Sequence, residues 1–268
     1  MNPEISPPRF EHLLVVVEDR CAFIRINRPD KRNALDDATR GQLITALDWA
    51  SATDGISVVV LAGEGGKSFA SGADLTTPGE PIVTPLEIRD RLSGRRVYDA
   101  VAQCSRPVVA MIDGFCLGGG CELAMSADIR VASTSARLGQ PEIRLGFIPG
   151  GGATQRLPRL VGLGQAMRMV LTGDVIDAAE AHRLGMIDIL VEPEQLLPRT
   201  RELCAAMSRN SPVALALAKQ ALRASLEMPL RDGLTLEREL FSLAFSSDDA
   251  TEGVAAFREQ RSPRFTGR

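Results

Sequence analysis

The chain is poor in the residues that build metal centres, base-stacking platforms and membrane spans. Histidine occurs only at His12 and His182, and the five cysteines (Cys21, Cys104, Cys116, Cys121 and Cys204) form no CxxC pair. A zinc site made of soft ligands therefore lacks parts. The odd count and scattered spacing of the thiols suggest reduced core residues in a reducing compartment. Aromatic residues are 4% of the chain, too few for a surface that stacks nucleotide bases. Apolar runs fall short of the ~18 residues a bilayer-spanning helix needs. The opening Met1-Asn-Pro-Glu-Ile-Ser-Pro-Pro has neither the basic start and apolar run of a secretory signal nor the arginines of a transit peptide. Acidic residues outnumber basic ones, 34 to 31, and the net charge of −3 gives no support to nucleic acid or an anionic membrane as a partner. The expectation is a cytoplasmic protein with no bound metal or other cofactor.

What is present suits an ordinary globular protein. Of 268 residues, 44% are hydrophobic and 24% charged, enough to bury a substantial core. Leu13–Val17 and Ala22–Asn27 are β-rich runs separated by Glu-Asp-Arg-Cys, which reads as a hairpin. Asp36–Thr53 has helical spacing of Leu43, Leu47 and Ala50, with Asp36 as N-cap. Ile56–Ala62 is a continuous β-branched run, the mark of a buried parallel strand. Thr76–Pro85, with three prolines and a glycine, predicts an irregular loop. A helix over Leu86–Gln103, a strand over Pro107–Ile112, a glycine turn, a helix from about Gly120 and a short strand over Asp128–Ala132 follow. This alternation predicts an α/β core with right-handed crossovers. Gln165–Leu171, Ala178–Leu184, Glu194–Arg209, Pro212–Leu226, Leu230–Phe245 and Asp248–Gln260 are helical, and several carry apolar faces able to cover the body or a neighbouring subunit. No residue-level repeat is visible.

The glycine clusters and two acids concentrate the chemistry. Gly63-Glu-Gly-Gly-Lys-Ser68 looks like a phosphate loop, but the position that must be its first glycine is Leu61, inside a strand. GxGxxG and GxSxG patterns are absent, so nucleotide-redox and serine-esterase chemistry lose support together. Gly118-Gly-Gly120 precedes Cys-Glu-Leu-Ala-Met and can be close packing of strand on helix, or a bare amide at a helix N-terminus. Glu122 in that first turn, and Glu142 after Pro141, each have an ordinary capping explanation. Their appearance together, with a further glycine turn at Ser71-Gly-Ala-Asp74, points to a carbonyl compound held by amides and worked on by two carboxyl groups.

These segments, in their order and spacing, resemble the crotonase superfamily, and within it the enoyl-CoA hydratases most closely. The resemblance covers Ile26–Leu35, Phe69–Leu75, Gly114–Met125, Gly139–Glu142, Gly146–Leu157 and Leu171–Asp174. It implies a spiral of repeated ββα units over residues 1–200 and a helical C-terminal trimerisation region over 201–268, assembled as a homotrimer or homohexamer. It places the oxyanion-hole amides on Ala73 and Gly119 and the paired catalytic carboxylates on Glu122 and Glu142. It puts contacts to an acyl-CoA thioester on Arg28, Lys31, Arg32, Ala70, Gly72, Asp74, Leu75 and Gly118. The implied reaction is reversible syn addition of water to a trans-2-enoyl-CoA in fatty-acid β-oxidation, with CoA belonging to the substrate. An enoyl-CoA isomerase is the alternative within the superfamily. A non-catalytic or RNA-binding member is the alternative outside catalysis, and it would be expected to add a basic patch beyond the local Arg28–Arg32 loop. The stretch after Asp74 departs from the common pattern, and it is expected to set chain-length preference, with Tyr98 and Phe147 as further pocket lining.

Overall fold

The computed structural model describes residues 5–75, 84–86 and 96–268. The expected loop Thr76–Pro85 falls largely outside the described residues, and so does the first half of the expected helix Leu86–Gln103, whose end forms as a helix over Val97–Gln103. Strands are β1 (Leu13–Glu18), β2 (Cys21–Ile26), β3 (Val58–Gly63), β4 (Ser68–Ala70), β5 (Val108–Ile112), β6 (Phe115–Leu117), β7 (Ile129–Ser133), β8 (Arg137–Gly139), β9 (Val175–Asp177) and β10 (Ile189–Val191). Helices are α1 (Asp37–Ala52), α2 (Val97–Gln103), α3 (Gly119–Ser126), α4 (Ala153–Val161), α5 (Leu163–Thr172), α6 (Ala178–Arg183), α7 (Pro193–Ser208), α8 (Pro212–Ala224), α9 (Leu230–Phe245) and α10 (Asp248–Arg258).

Asp19 and Arg20 turn the β1–β2 hairpin at φ 47° and 66°, the positive values a two-residue turn needs to match strand twist. β2, β3, β5, β7 and β10 then run parallel in one six-stranded sheet, ordered β1-β2-β3-β5-β7-β10. A second sheet, ordered β4-β6-β8-β9, takes one short strand from each turn of the chain. β3 leads into β4, β5 into β6 and β7 into β8, so successive turns advance both sheets by one strand. The chain therefore winds as a spiral of ββα units without any matching repeat of residues.

Both faces of the larger sheet are covered, which explains the unbroken apolar run of β3. Val59 and Leu61 face the main core with Leu43, Leu47 and Ala50 of α1. Val58 and Val60 face Leu196 and Cys204 of α7. Asp36 caps α1 by accepting from Thr39 N at 2.7 Å, as its sequence position predicts. α7 runs through residue 200, the expected boundary, and buries Leu196, Thr200 and Cys204. Helices that leave the sheet begin after Ser208, and α8 and α9 pack on one another.

Candidate active site

Two backbone amides come together where β4 and β6 end. Leu35 N donates to Gly72 O at 2.8 Å and Asp74 N to Leu35 O at 3.2 Å, closing a parallel bridge between Leu35 and Ala73. In that pattern the Ala73 N–H points away from Leu35. Gly119 heads α3, where first-turn N–H groups have no intrahelical acceptor and the helix dipole favours negative charge. Neither amide has an acceptor among the described residues. A methyl group on Gly119 would lie 3.8 Å from Ala73 N, and one on Gly72 would lie 3.6 Å from Gly119 N, so the two amides are neighbours. Gly118 makes the turn into α3 at φ 50° and ψ −126°, a conformation that disfavours any side chain.

Glu122 is 3% exposed and fixed from outside its own helix. Its Oε1 accepts from Gly151 N at 2.5 Å, in the glycine turn before α4, and from Ala153 N at 3.0 Å, at the first residue of α4. Arg156 Nη1 donates to Gly151 O at 2.9 Å and so holds that turn. Tyr98 is 6% exposed and closes the same wall: its Oη would stand 2.8 Å from a methyl group on Gly119, and its ring abuts Gly151. Burial, and then the charge of Glu122, push the Tyr98 phenol above its ordinary value, keeping it a proton donor.

Glu142 approaches from the other side, on the 3-10 turn Pro141–Leu145 that follows β8. Its Oε1 would lie 3.0 Å from a methyl group on Gly118, so it faces the start of α3. Burial first, and then the Glu122 charge, raise its pKa from 4.5 to about 7. Gln140 is fully buried, and with its amide assigned by its surroundings the nitrogen donates to both Glu142 oxygens at 3.0 and 3.1 Å. Two neighbouring amides, one immobilised carboxyl group and one raised to about 7 thus border a single space.

A family model described as enoyl-CoA hydratase/isomerase matches residues 17–268. The chain belongs to that family. It is 36% identical over 257 residues to a crotonyl-CoA hydratase of Syntrophomonas wolfei, covering 96% of this chain and 98% of that one. It is 41% identical over 258 residues to a 2,3-dehydroadipyl-CoA hydratase of Escherichia coli, covering 96% and 99%. Among solved structures, an enoyl-CoA hydratase from Bacillus anthracis superposes with a TM-score of 0.90 at 33% identity, over 96% of this chain and all of that one.

Within this member of the enoyl-CoA hydratase/isomerase family, the sequence-predicted residues divide in two. Ala73, Gly119, Glu122 and Glu142 meet, with Gly72 and Gly118 shaping the turns between them. Ala70 is fully buried, its carbonyl packed against Gly120, so it supports the site from beneath. Leu75 (64% exposed) and Phe147 (57% exposed) look outward from the described residues. Lys31 and Arg32 are exposed on their loop, whereas Arg28, also expected to contact the substrate, turns inward onto Asp36, Asp74 and Ala34 O. Sequence reading missed Gln140, Arg156 and the Gly151 and Ala153 amides. The Gly150-Gly-Gly152 triplet signalled bare amides, but nothing local named Glu122 as their acceptor. No group of three or more His, Cys, Asp or Glu side chains is placed to hold a metal ion among the described residues.

Proposed function

We propose that the protein hydrates a trans-2-enoyl-CoA reversibly to the 3-hydroxyacyl-CoA. The observation that carries this reading is the pair of unlike carboxyl groups, Glu122 and Glu142, flanking two neighbouring free amides. The thioester oxygen accepts from Ala73 N–H and Gly119 N–H, which draws electron density from the conjugated double bond and stabilises the enolate-like charge as it develops. Loss of one such donor typically costs ~2.7–4 kcal/mol. Glu122, held through Oε1, orients water and takes its proton as the oxygen adds to the β-carbon. Glu142, protonated up to about pH 7, delivers a proton to the α-carbon on the same face. The chemistry needs no group beyond the substrate, whose CoA phosphates meet Lys31 and Arg32 at the surface. Free, buried thiols suit a reducing cytoplasm.

The test is hydration of a crotonyl-CoA to longer enoyl-CoA series, with Glu122→Gln and Glu142→Gln assayed singly and together. Each single variant should lose ~10²–10⁴-fold in kcat, and the double variant much less than the product of the two losses. Near-normal hydration by either single variant would remove the two-carboxylate assignment. Conversion of a 3-enoyl-CoA that needs Glu142 alone would favour the isomerase reading.

The same proposal includes self-assembly. Leu230, Phe241, Phe245 and Phe257 on α9 and α10 are 79, 66, 67 and 85% exposed, an apolar surface suited to a second copy. Sedimentation should give a trimer or hexamer, and a fully active monomer would refute it.

A further inference from the structure

Arg28 is engaged with carboxylates rather than with solvent. Its side chain is 13% exposed, with Nη2 2.9 Å from Asp74 Oδ2 and 3.0 Å from Asp36 Oδ2, and Nη1 donating to Ala34 O at 2.6 Å. Its own N–H donates to Asn33 Oδ1 at 3.0 Å, and the fully buried Asn33 donates to Glu64 O and Ser68 O, pinning this loop beside β4. Asp36 is the N-cap of α1. Asp74, 3% exposed at its side chain, directly follows Ala73.

We propose that Arg28 is a positioning residue for the reaction: it holds Asp74 against the N-cap of α1 and thereby fixes the direction of the Ala73 N–H. The inference rests on the hydratase reading above. Ser71 is held on the loop by its N–H on Arg32 O at 3.1 Å, and beyond it the Gly72–Asp74 segment is tied by two backbone bonds, both to Leu35. Past Ser71, two bonds to one residue leave the segment able to tilt about the line joining them. Gly72, at φ 104°, offers little resistance to that tilt. The Asp74 side chain supplies a contact off that line, through a guanidinium whose rigid fork also reaches Asp36 and Ala34 O. Without the cation, two carboxylates that share one nitrogen would repel, and the segment carrying Ala73 would be pushed from its place.

Full-length wild type, Arg28→Met, Arg28→Lys and Lys31→Met should be compared on crotonyl-CoA and on crotonyl-pantetheine, which lacks the nucleotide and its phosphates. Arg28→Met should lower kcat by about 10²-fold on both thioesters with little change in KM, as small misplacements of a reacting group do. It should also weaken the red shift in the absorption of a bound, conjugated cinnamoyl thioester, which reports polarisation by the amide pair. Arg28→Lys keeps the charge between the carboxylates and should recover part of both signals, so it serves where Arg28→Met folds poorly. Lys31→Met should raise KM for the CoA thioester alone. A loss in Arg28→Met confined to crotonyl-CoA, or seen only in KM, would make Arg28 a phosphate contact and overturn the inference. So would an unchanged kcat with an undiminished red shift. Should wild type hydrate nothing, the hydratase reading falls, while the red shift, which needs binding but no turnover, still decides the role of Arg28.

Discussion

Glu142 can be made to reveal its environment through stability as well as through rate. Its carboxyl is raised from 4.5 to about 7 on folding, which means the folded protein disfavours the charged form. Below pH 4.5 the group is protonated in folded and unfolded chains alike, and it imposes no penalty. Between pH 4.5 and about 7 the folded chain keeps a proton that the unfolded chain has released, so stability falls as pH rises. Above about 7 the penalty is complete. The full shift corresponds to roughly 3 kcal/mol at 1.36 kcal/mol per unit, but water reaches this half-buried carboxyl, and screening reduces the figure to about 1–2 kcal/mol. Glu142→Gln keeps the shape and removes the charge. It should lower kcat by ~10²–10⁴-fold yet raise the urea midpoint at pH 8 by an amount equal to about 1–2 kcal/mol, with no gain at pH 4. Hydration by the wild type should decline above pH 7, and dehydration of the 3-hydroxyacyl product should decline with it, because either direction needs one proton on the Glu122–Glu142 pair. Urea unfolding from pH 4 to 9 at one protein concentration, read by tryptophan fluorescence at Trp49, measures the first part. A stability difference between variant and wild type that stays constant across that range would refute the reasoning.

Gly151→Ala should drive a methyl group into Glu122 Oε2 and the Tyr98 ring, lowering kcat by more than about 10²-fold with binding of a saturated acyl-CoA retained; normal kcat would show that the turn does not set Glu122. Tyr98→Phe removes a phenol that lies beside Gly119 and should slow hydration by up to about tenfold, the worth of one ordinary hydrogen bond, with Tm within a few degrees of wild type. A larger loss of kcat would mean a proton-transfer role, and no loss would leave Tyr98 as pocket wall. Asp249 is 2% exposed and accepts from Ser211 Oγ at 2.7 Å, Thr266 N at 2.7 Å and Gly267 N at 3.0 Å, so it ties the C-terminal tail to the start of α8. Asp249→Ala should cost about 2–4 kcal/mol by chemical unfolding and expose the tail to limited proteolysis; an unchanged midpoint would count against that anchor.

Features set by near neighbours were legible in the sequence. The α1 cap at Asp36, the β1–β2 turn and the apolar run of β3 each follow from a few adjacent residues, and each forms where expected. β4, β6, β8 and β9 were not legible, since three residues are too few for alternation to show, and their pairing partners lie far away in sequence. α4 was hidden by its glycine-rich entry and by Pro158 within it. The spiral itself left no repeat because each turn packs against different neighbours and so selects different side chains. At the site, glycine clusters and acids marked where chemistry concentrates, and the resemblance supplied their roles. What stayed invisible were pairings across the fold: Gly151 N to Glu122, Gln140 to Glu142, and Arg28 to Asp74. A basic loop and a buried ion-pair clamp can have the same sequence, and only the position of the acids tells them apart.

The second sheet explains how residues so far apart in sequence come to one point. β4, β6 and β8 are parallel neighbours, with Ala70 opposite Cys116 and Leu117 opposite Gly139. Each strand ends at the same edge, and each releases its contribution just past that end: Ala73 after β4, Gly119 and Glu122 after β6, Glu142 after β8. Ligand sites at the carboxyl ends of parallel strands follow from this geometry. The register also sets a tolerance, because a slip of one residue would shift a strand end by ~3.3 Å and reverse its side chains. The fold then makes the two glutamates unlike. Glu122 sits inside a helix whose start is clamped by Gly118 N to Gly139 O at 2.9 Å and by Gly120 against Ala70, and its Oε1 accepts two amides. Glu142 hangs on a 3-10 turn with no buried residue of its own, close enough to Glu122 for that charge to oppose its ionisation. Identical side chains thus acquire distinct environments from where two adjacent strands let them go.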